Sequence, residues 1–278
     1  MAVVFLCDFF LEDILGGGEI CNEVVIQKLS KDRIVIKKKC SQCTVEFLDS
    51  HVYDLIVVGN FSMLSEDCKN FMMKYSRYVI YEHDYKFVRN RNPAAYHEFL
   101  VPKDQLVNIS FFKAAEEVIC QSTFQKNIFM MNFDRLIVSS LGTNFWFDEH
   151  YDLMLQLSAK EKLNKYCILN SGIDHKNTKG AIEFCKKNGF SFDLIEDRNY
   201  ESFLKKLGSY SHFVFMPKTP ETFSRTCAEA RMMNVNVITN ELVGFQGETW
   251  QKGLKGEKLI TVMKVRNEAA LEYFERLA

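Results

Sequence analysis

Apolar residues in this chain fall into short unbroken runs separated by stretches of helical periodicity. The run Val3–Cys7 reads as a buried strand, and Gly16-Gly17-Gly18 then opens a helical stretch from Glu19 to Leu29. Ile34–Ile36 and Val45–Phe47 are short strand candidates, and Leu55–Val58 is a core strand ending at Gly59. Ser65 is placed to cap a helix toward Tyr75, and Tyr78–Tyr81 is a further strand followed by Glu82-His83-Asp84. Val118–Cys120 and Leu136–Val138 complete a first set. After the aromatic segment Asn144–Phe147 a second set begins with the strand Cys167–Leu169 and a helix from Asn177 or Thr178 to Asn188, stopped by Gly189. Strand Phe192–Ile195, helix Tyr200–Leu207 and strand His212–Met216 follow. The chain then gives a Glu221–Glu229 helix, strands Val235–Thr239 and Leu259–Val262, and a last helix near Asn267–Leu277. Continuous apolar strands alternating with helices predict parallel sheets covered on both faces. The expected architecture is α/β, with two Rossmann-like domains facing across a cleft. The first spans residues 1–145 and the second 146–278, the last helix being able to pack back on the first.

Composition narrows the function classes. The 278 residues suffice for one large domain or two smaller ones. A formal net charge of −1 argues against a protein built mainly to bind nucleic acid or an anionic membrane. The basic run Lys31-Asp32-Arg33 with Lys37–Lys39 reads as a solvated strand edge, with an anionic acceptor or membrane as the alternative. Nine scattered cysteines suit reduced thiols in a cytoplasmic compartment, and the lone pair Cys40-Ser41-Gln42-Cys43 is a weak zinc signal with no supporting ligand cluster. The first apolar run reaches Asp8 too soon for a signal peptide, and no stretch has the apolar length of a membrane span.

The candidate chemistry collects at strand ends, where ligands bind in such sheets. Glu221 and Glu229, with seven residues between them, lie across a turn-to-helix junction and can grip hydroxyls of one extended ligand. Thr222, Phe223 and Ser224 are expected to form the first helical turn, with free amides and the positive helix end facing a phosphate. Ala228 and Ala230 flank Glu229, so an unpaired glutamate there would be expensive. Asn170-Ser171-Gly172 with Lys179-Gly180 is a small-residue turn with a lysine that can neutralise a diphosphate, or a plain surface lysine. The glycine triplet can let a phosphate or sugar approach the backbone, or be a flexible turn. His83, beside two carboxylates, can bond a phosphate or hydroxyl, or be a satisfied loop histidine. Arg89 and Arg91 in the basic loop after it can meet an acceptor or be solvated, and Ser122 is accounted for by capping.

Together these residues resemble retaining glycosyltransferases of the GT-B fold with a Glu-x7-Glu motif, the group including sucrose synthases and bacterial lipopolysaccharide glycosyltransferases. The order of elements supports the resemblance over nearly the whole chain, and the Glu221–Glu229 segment is its specific part. The resemblance implies that Glu221 binds donor-sugar hydroxyls and Glu229 the ribose of a UDP-, GDP- or ADP-linked sugar. It implies diphosphate binding by the amides of Phe223 and Ser224, charge balance by Lys179, and His83 near the anomeric centre. Gly17, Gly18 and Gly172 line the site, and no metal or cofactor is needed. Where the group has Gly-Arg this chain has Gly172-Ile173, which leaves Arg225 or Lys218 as substitutes. The expected activity is metal-independent, retaining hexosyl transfer from a nucleotide-diphosphate sugar in the cytoplasm, without stable membrane insertion. The acceptor, whether glycan, lipid, protein or modified nucleic acid, is left open. A sugar-nucleotide epimerase and a non-catalytic nucleotide-sugar-binding module are the alternatives.

Overall fold

The computed structural model describes residues 2–50 and 52–278. They form two compact units: the first ends at Phe145 and also takes in Asn267–Ala278, and the second is Trp146–Arg266.

In the first unit the order is β1 (Ala2–Cys7), α1 (Gly17–Leu29), β2 (Ile34–Lys39), α2 (Val45–Ser50), β3 (Leu55–Val58), α3 (Glu66–Tyr75), β4 (Tyr78–Glu82), α4 (Ile109–Ala114), β5 (Glu117–Cys120), α5 (Thr123–Asn132) and β6 (Val138–Ser140). The strands form one parallel sheet in the order β2-β1-β3-β4-β5-β6. Strand side chains alternate between two cores, as a period of two requires. Val4, Leu6, Ile56, Val58 and Ile80 enter one, and Val3, Phe5, Leu55, Val57 and Val79 the other. Burial of both faces is why these strands read as unbroken apolar runs. Ala270 and Phe274 of the last helix belong to the second of these cores.

The second unit runs α6 (Asp148–Ser158), β7 (Leu163–Leu169), α7 (Thr178–Lys187), β8 (Phe192–Ile195), α8 (Tyr200–Leu207), β9 (Tyr210–Phe215), α9 (Arg225–Met232), β10 (Asn236–Thr239), α10 (Gly244–Gly247) and α11 (Gly256–Leu277), the last continuing into the first unit. Its parallel sheet has the order β10-β9-β7-β8. In each sheet the order reverses once, between β1 and β3 and between β7 and β9. The loops leaving the carboxyl ends of those strand pairs are where an open α/β sheet leaves a crevice.

Three expectations are corrected. Val45–Phe47 is the start of helix α2, because the Thr44 hydroxyl accepts the Phe47 amide at 3.1 Å and seeds a turn. Leu259–Val262 lies inside α11, where Leu259, Ile260 and Met263 share one buried helical face, a spacing that four residues alone do not distinguish from a strand. Helix α9 starts only at Arg225, so Thr222–Ser224 precede it as loop.

Candidate functional site

Two loops meet at the reversal point of the second sheet. The loop after β7, residues 170–177, and the loop after β9, residues 216–224, are joined by backbone and side chain. The Lys218 amide donates to His175 O at 2.9 Å, and the Asn177 side-chain amide to Met216 O at 2.7 Å. Asn177 sits at φ 55° and caps α7 through a bond from the Gly180 amide at 3.2 Å. This left-handed residue turns the chain between Lys176 and Lys179. Lys176 then reaches Glu221, Nζ to Oε1 2.8 Å, whereas Lys179 is exposed on the first turn of α7. The cation beside the first acid is therefore Lys176, while Lys179, expected from sequence to balance a diphosphate, stands apart on α7.

Glu221 is held rigidly. Its amide donates to Leu242 O at 2.8 Å, and its carbonyl accepts the Gly244 amide at 3.0 Å. Phe223 anchors the next step: its ring is fully buried against Phe245, with centroids 5.4 Å apart, and its carbonyl accepts the Phe245 amide at 2.7 Å. Ser224 then takes φ 71° as the N-cap of α9, with no side-chain capping bond. The positive end of α9 thus opens three residues after Glu221, beside the ammonium of Lys176.

Glu229 lies one turn inside α9 and is 1% exposed. Its Oε1 accepts Trp146 Nε1–H at 2.9 Å and the Tyr200 hydroxyl at 2.5 Å, and Arg225 Nε lies 3.5 Å away. The Arg225 guanidinium also donates to the Tyr200 oxygen at 3.0 Å and lies 4.6 Å over the Trp146 ring. Removing the Glu229 side chain would leave a buried guanidinium without its carboxylate, so alanine at this position perturbs the fold as well as any ligand. Burial, then the charge of Arg225, lowers the pKa of His150, whose ring packs edge-on to Tyr200 at 4.7 Å. Of the two cations offered in place of an arginine at Ile173, Arg225 is committed to this cluster and Lys218 pairs with Asp174 at 2.9 Å. Ile173 and Gly172 are both exposed, and a side chain at Gly172 would meet nothing within 4 Å.

In the first unit the glycine turn and His83 come together. Gly17 opens α1 behind its cap Gly16, and a Cβ on Gly18 would lie 3.5 Å from the His83 ring. His83 itself belongs to a one-way chain of donors. Asn144 Nδ2 donates to Gln121 Oε1 at 3.1 Å, and Gln121 Nε2 to His83 Nδ1 at 2.5 Å. That assignment puts the imidazole proton on Nε2, which bonds Asn22 Oδ1 at 2.7 Å, and Asn22 Nδ2 bonds Cys7 Sγ at 3.1 Å. Burial, reinforced by the charge of Lys86, pushes the His83 pKa down to about 3. His83 is a neutral, doubly bonded wall of the turn, with no ring nitrogen free to move a proton.

This has a measurable consequence. The unfolded chain takes up a proton near pH 6.5 and the folded chain only near 3, so His83 stabilises the fold fully above the upper value. Its contribution declines as pH falls between the two. His83→Gln should flatten the fall in urea-unfolding stability between about pH 6 and pH 4, by on the order of 1–3 kcal/mol. An unchanged slope would mean that His83 titrates normally.

The remaining expected residues are placed as follows. Arg91 donates to the Ser62 hydroxyl at 2.5 Å and lies 3.3 Å from Asp84, while the guanidinium of the exposed Arg89 donates to Asp104 O at 3.4 Å. Ser122 caps α5 by accepting the Gln125 amide at 3.1 Å. The basic run on β2 is not a free patch: Lys37 pairs with Glu23 at 2.7 Å, Lys39 with Asp13 at 2.5 Å, and Lys38 lies 4.5 Å over the Phe47 ring. All nine cysteines are buried and none is in a disulfide, and no metal-ligating cluster occurs among the described residues. No described helix is long and apolar enough to cross a membrane.

No protein-family model matches the chain, and no curated protein matches its sequence. Solved structures do match its fold. A glycosyltransferase from Rickettsia africae superposes with a TM-score of 0.55 at 10% identity, covering 99% of this chain and 98% of that one. Anabaena Alr3699/HepE, solved with UDP and glucose, gives a TM-score of 0.51 at 15% identity over 97% of this chain and 90% of that chain. An alpha-glucosyltransferase solved with UDP-glucose and DNA containing an abasic site gives 0.51 at 9% identity, over 99% and 92% of the two chains. The fold is the GT-B glycosyltransferase fold, with two parallel α/β units.

Proposed function

We propose that this protein transfers a sugar from a nucleotide-diphosphate sugar to a hydroxyl acceptor with retention at the anomeric carbon. The observation that carries the reading is the meeting of Lys176, Glu221 and the start of α9 at the reversal point of the second sheet. An ammonium and a helix end together suit a diphosphate, and a rigid carboxylate beside them suits sugar hydroxyls. Glu229, one turn along α9, then falls to the ribose. The fold neighbours solved with UDP or UDP-glucose support the same ligand class.

In the proposed reaction the bond from the anomeric carbon to the diphosphate oxygen breaks, and one to the acceptor oxygen forms. The acceptor's proton passes to the leaving diphosphate. Lys176 and the amides ahead of α9 stabilise the charge that develops there. Inversion by single displacement would instead need a general base beside the acceptor. His83 is unsuited to that, since both ring nitrogens are bonded. Asp8 spends its carboxylate on the Ser62 and Met63 amides at 2.8 and 2.9 Å. Neither of these two groups is a free base.

The test is a thermal-shift screen with UDP-, GDP- and ADP-glucose, followed by calorimetry. One of them should raise Tm by mass action. Glu221→Gln should then weaken the nucleotide sugar about tenfold without weakening the free nucleoside diphosphate, the loss of a charged hydrogen bond to a hydroxyl. No shift with any donor would reject the function. An equal loss for both ligands would reject the sugar-binding role of Glu221.

A further inference from the structure

The proposed reaction needs a second ligand, the acceptor, and the chain has a second sheet reversal, between β1 and β3. The segments around that reversal bring together the glycine turn, Glu19, Asn60 and His83. A Cβ on Gly18 would stand 3.5 Å from the His83 ring and 3.8 Å from Asn60 Nδ2. Glu19, on the first turn of α1, folds its carboxylate back over Gly16, where a Cβ would collide with Oε2. Gly16 thus leaves room for the carboxylate, and Gly18 leaves room for a ligand held against Asn60 and His83.

The charges around this turn disfavour an anion. A helix start ordinarily attracts one. At α1 that place is taken by the half-buried carboxylate of Glu19. Lys86 is the cation whose field reaches both Glu19 and His83, and it is 3% exposed and bound to Glu82 at 2.8 Å. Asp8 adds a second negative charge near Glu19. The cations of the neighbouring loops are occupied too. Lys37 and Lys39 hold Glu12 and Asp13 of the loop after β1, at 3.0 and 2.5 Å, and Arg91 holds Asp84 after β4 at 3.3 Å. His83 is neutral, with both ring nitrogens bonded. A phosphate arriving here would meet a carboxylate and cations already paired. A hydroxyl finds the reverse, since Glu19 accepts and the Asn60 side-chain amide both donates and accepts.

We propose that the acceptor is a neutral sugar, bound in the first unit by Glu19 and Asn60 over the glycine turn, and not a phosphate-bearing lipid or a nucleic acid. This rests on the sugar-transfer reading above. Two flat polar side chains beside an open glycine backbone suit neighbouring hydroxyls of one sugar ring. Burial raises the pKa of Glu19, which strengthens it as an acceptor of a hydroxyl's hydrogen bond.

The experiment uses the full chain with the donor found by thermal shift and follows release of the nucleoside diphosphate. The acceptor probes are methyl glucoside, methyl galactoside and methyl mannoside. They are set against the corresponding hexose phosphates, a short-chain polyprenyl phosphate and a short single-stranded oligodeoxynucleotide. One neutral glycoside should raise release at least about tenfold over buffer, and its phosphate should be about tenfold less effective. Glu19→Gln should raise the KM for that glycoside about tenfold while the KM for the donor stays within about twofold. Gly18→Ala adds one methyl group at ordinary contact distance from His83, and should raise the KM for the glycoside by taking the sugar's place. It carries the test if Glu19→Gln does not fold, as judged by its melting curve. Stimulation by a phosphate probe or the oligonucleotide alone, no stimulation by any glycoside, or an equal rise in both KM values overturns the inference. With a donor still bound, each of those results leaves the sugar-transfer function standing. If no donor binds wild type, that function fails and this inference with it.

Discussion

Lys176→Ala should lower the rate of sugar transfer about 10²–10³-fold, while Lys179→Ala changes it less than twofold. The size is that of removing one donor preorganised toward a developing oxyanion, roughly 3–4 kcal/mol of transition-state stabilisation. The two lysines are three residues apart and chemically alike, so the pair is a sharp test of the geometry. Lys176 Nζ lies 2.8 Å from Glu221 Oε1, and the left-handed Asn177 at φ 55° separates it from the exposed Lys179. With no ligand bound, Lys176 and Glu221 neutralise each other. In the proposed reaction a donor would part them, taking the ammonium for its diphosphate and the carboxylate for its sugar. Steady-state rates with the donor identified by thermal shift decide the matter. Equal losses for the two variants would move the diphosphate away from this corner.

Lys86→Met should cost about 3–5 kcal/mol of stability, because it strands a buried charge. Lys86 Nζ lies 2.8 Å from Glu82 Oε1, and the two side chains are 3% and 0% exposed. The Asp84 amide also donates to that oxygen at 2.9 Å, while Glu82 Oε2 is buried without a partner. Burial raises the pKa of Glu82, and Lys86 is the largest influence opposing that shift. Without Lys86 the shift grows, and its sign gives the loss a signature. Above the unfolded value of 4.5 the unfolded chain sheds the proton that the folded variant retains, so stability falls as pH rises. The variant should therefore recover as pH is lowered toward that value, which a simple packing defect would not do. Glu82→Gln in the same chain should restore much of the loss at neutral pH. Urea unfolding at pH 5 and 7.5 reads both. The pair secures the residues on either side of His83, so its loss should also loosen the turn that Gly18 and His83 share.

What the sequence determined by itself was the sheet architecture. Strands buried on both faces read as unbroken apolar runs, and helices between them read by period, so parallel α/β order was legible from local pattern. Failures of that reading were also local: Val45–Phe47 and Leu259–Val262 are too short for period alone to separate helix from strand. The positions of Glu221 and Glu229 after a strand end were legible for the same reason. The tertiary structure alone decided which side chains act together. Lys176 finds Glu221 across 45 residues, Trp146 finds Glu229 across 83, and Asn22 finds His83 across 61. Contacts at such separation leave no periodic trace, since they depend on where loops leave the sheet and on single backbone turns such as those at Asn177 and Ser224. That is why the pairing of Lys176 with Glu221, the donors around Glu229 and the neutral state of His83 emerge only once the two sheets are folded.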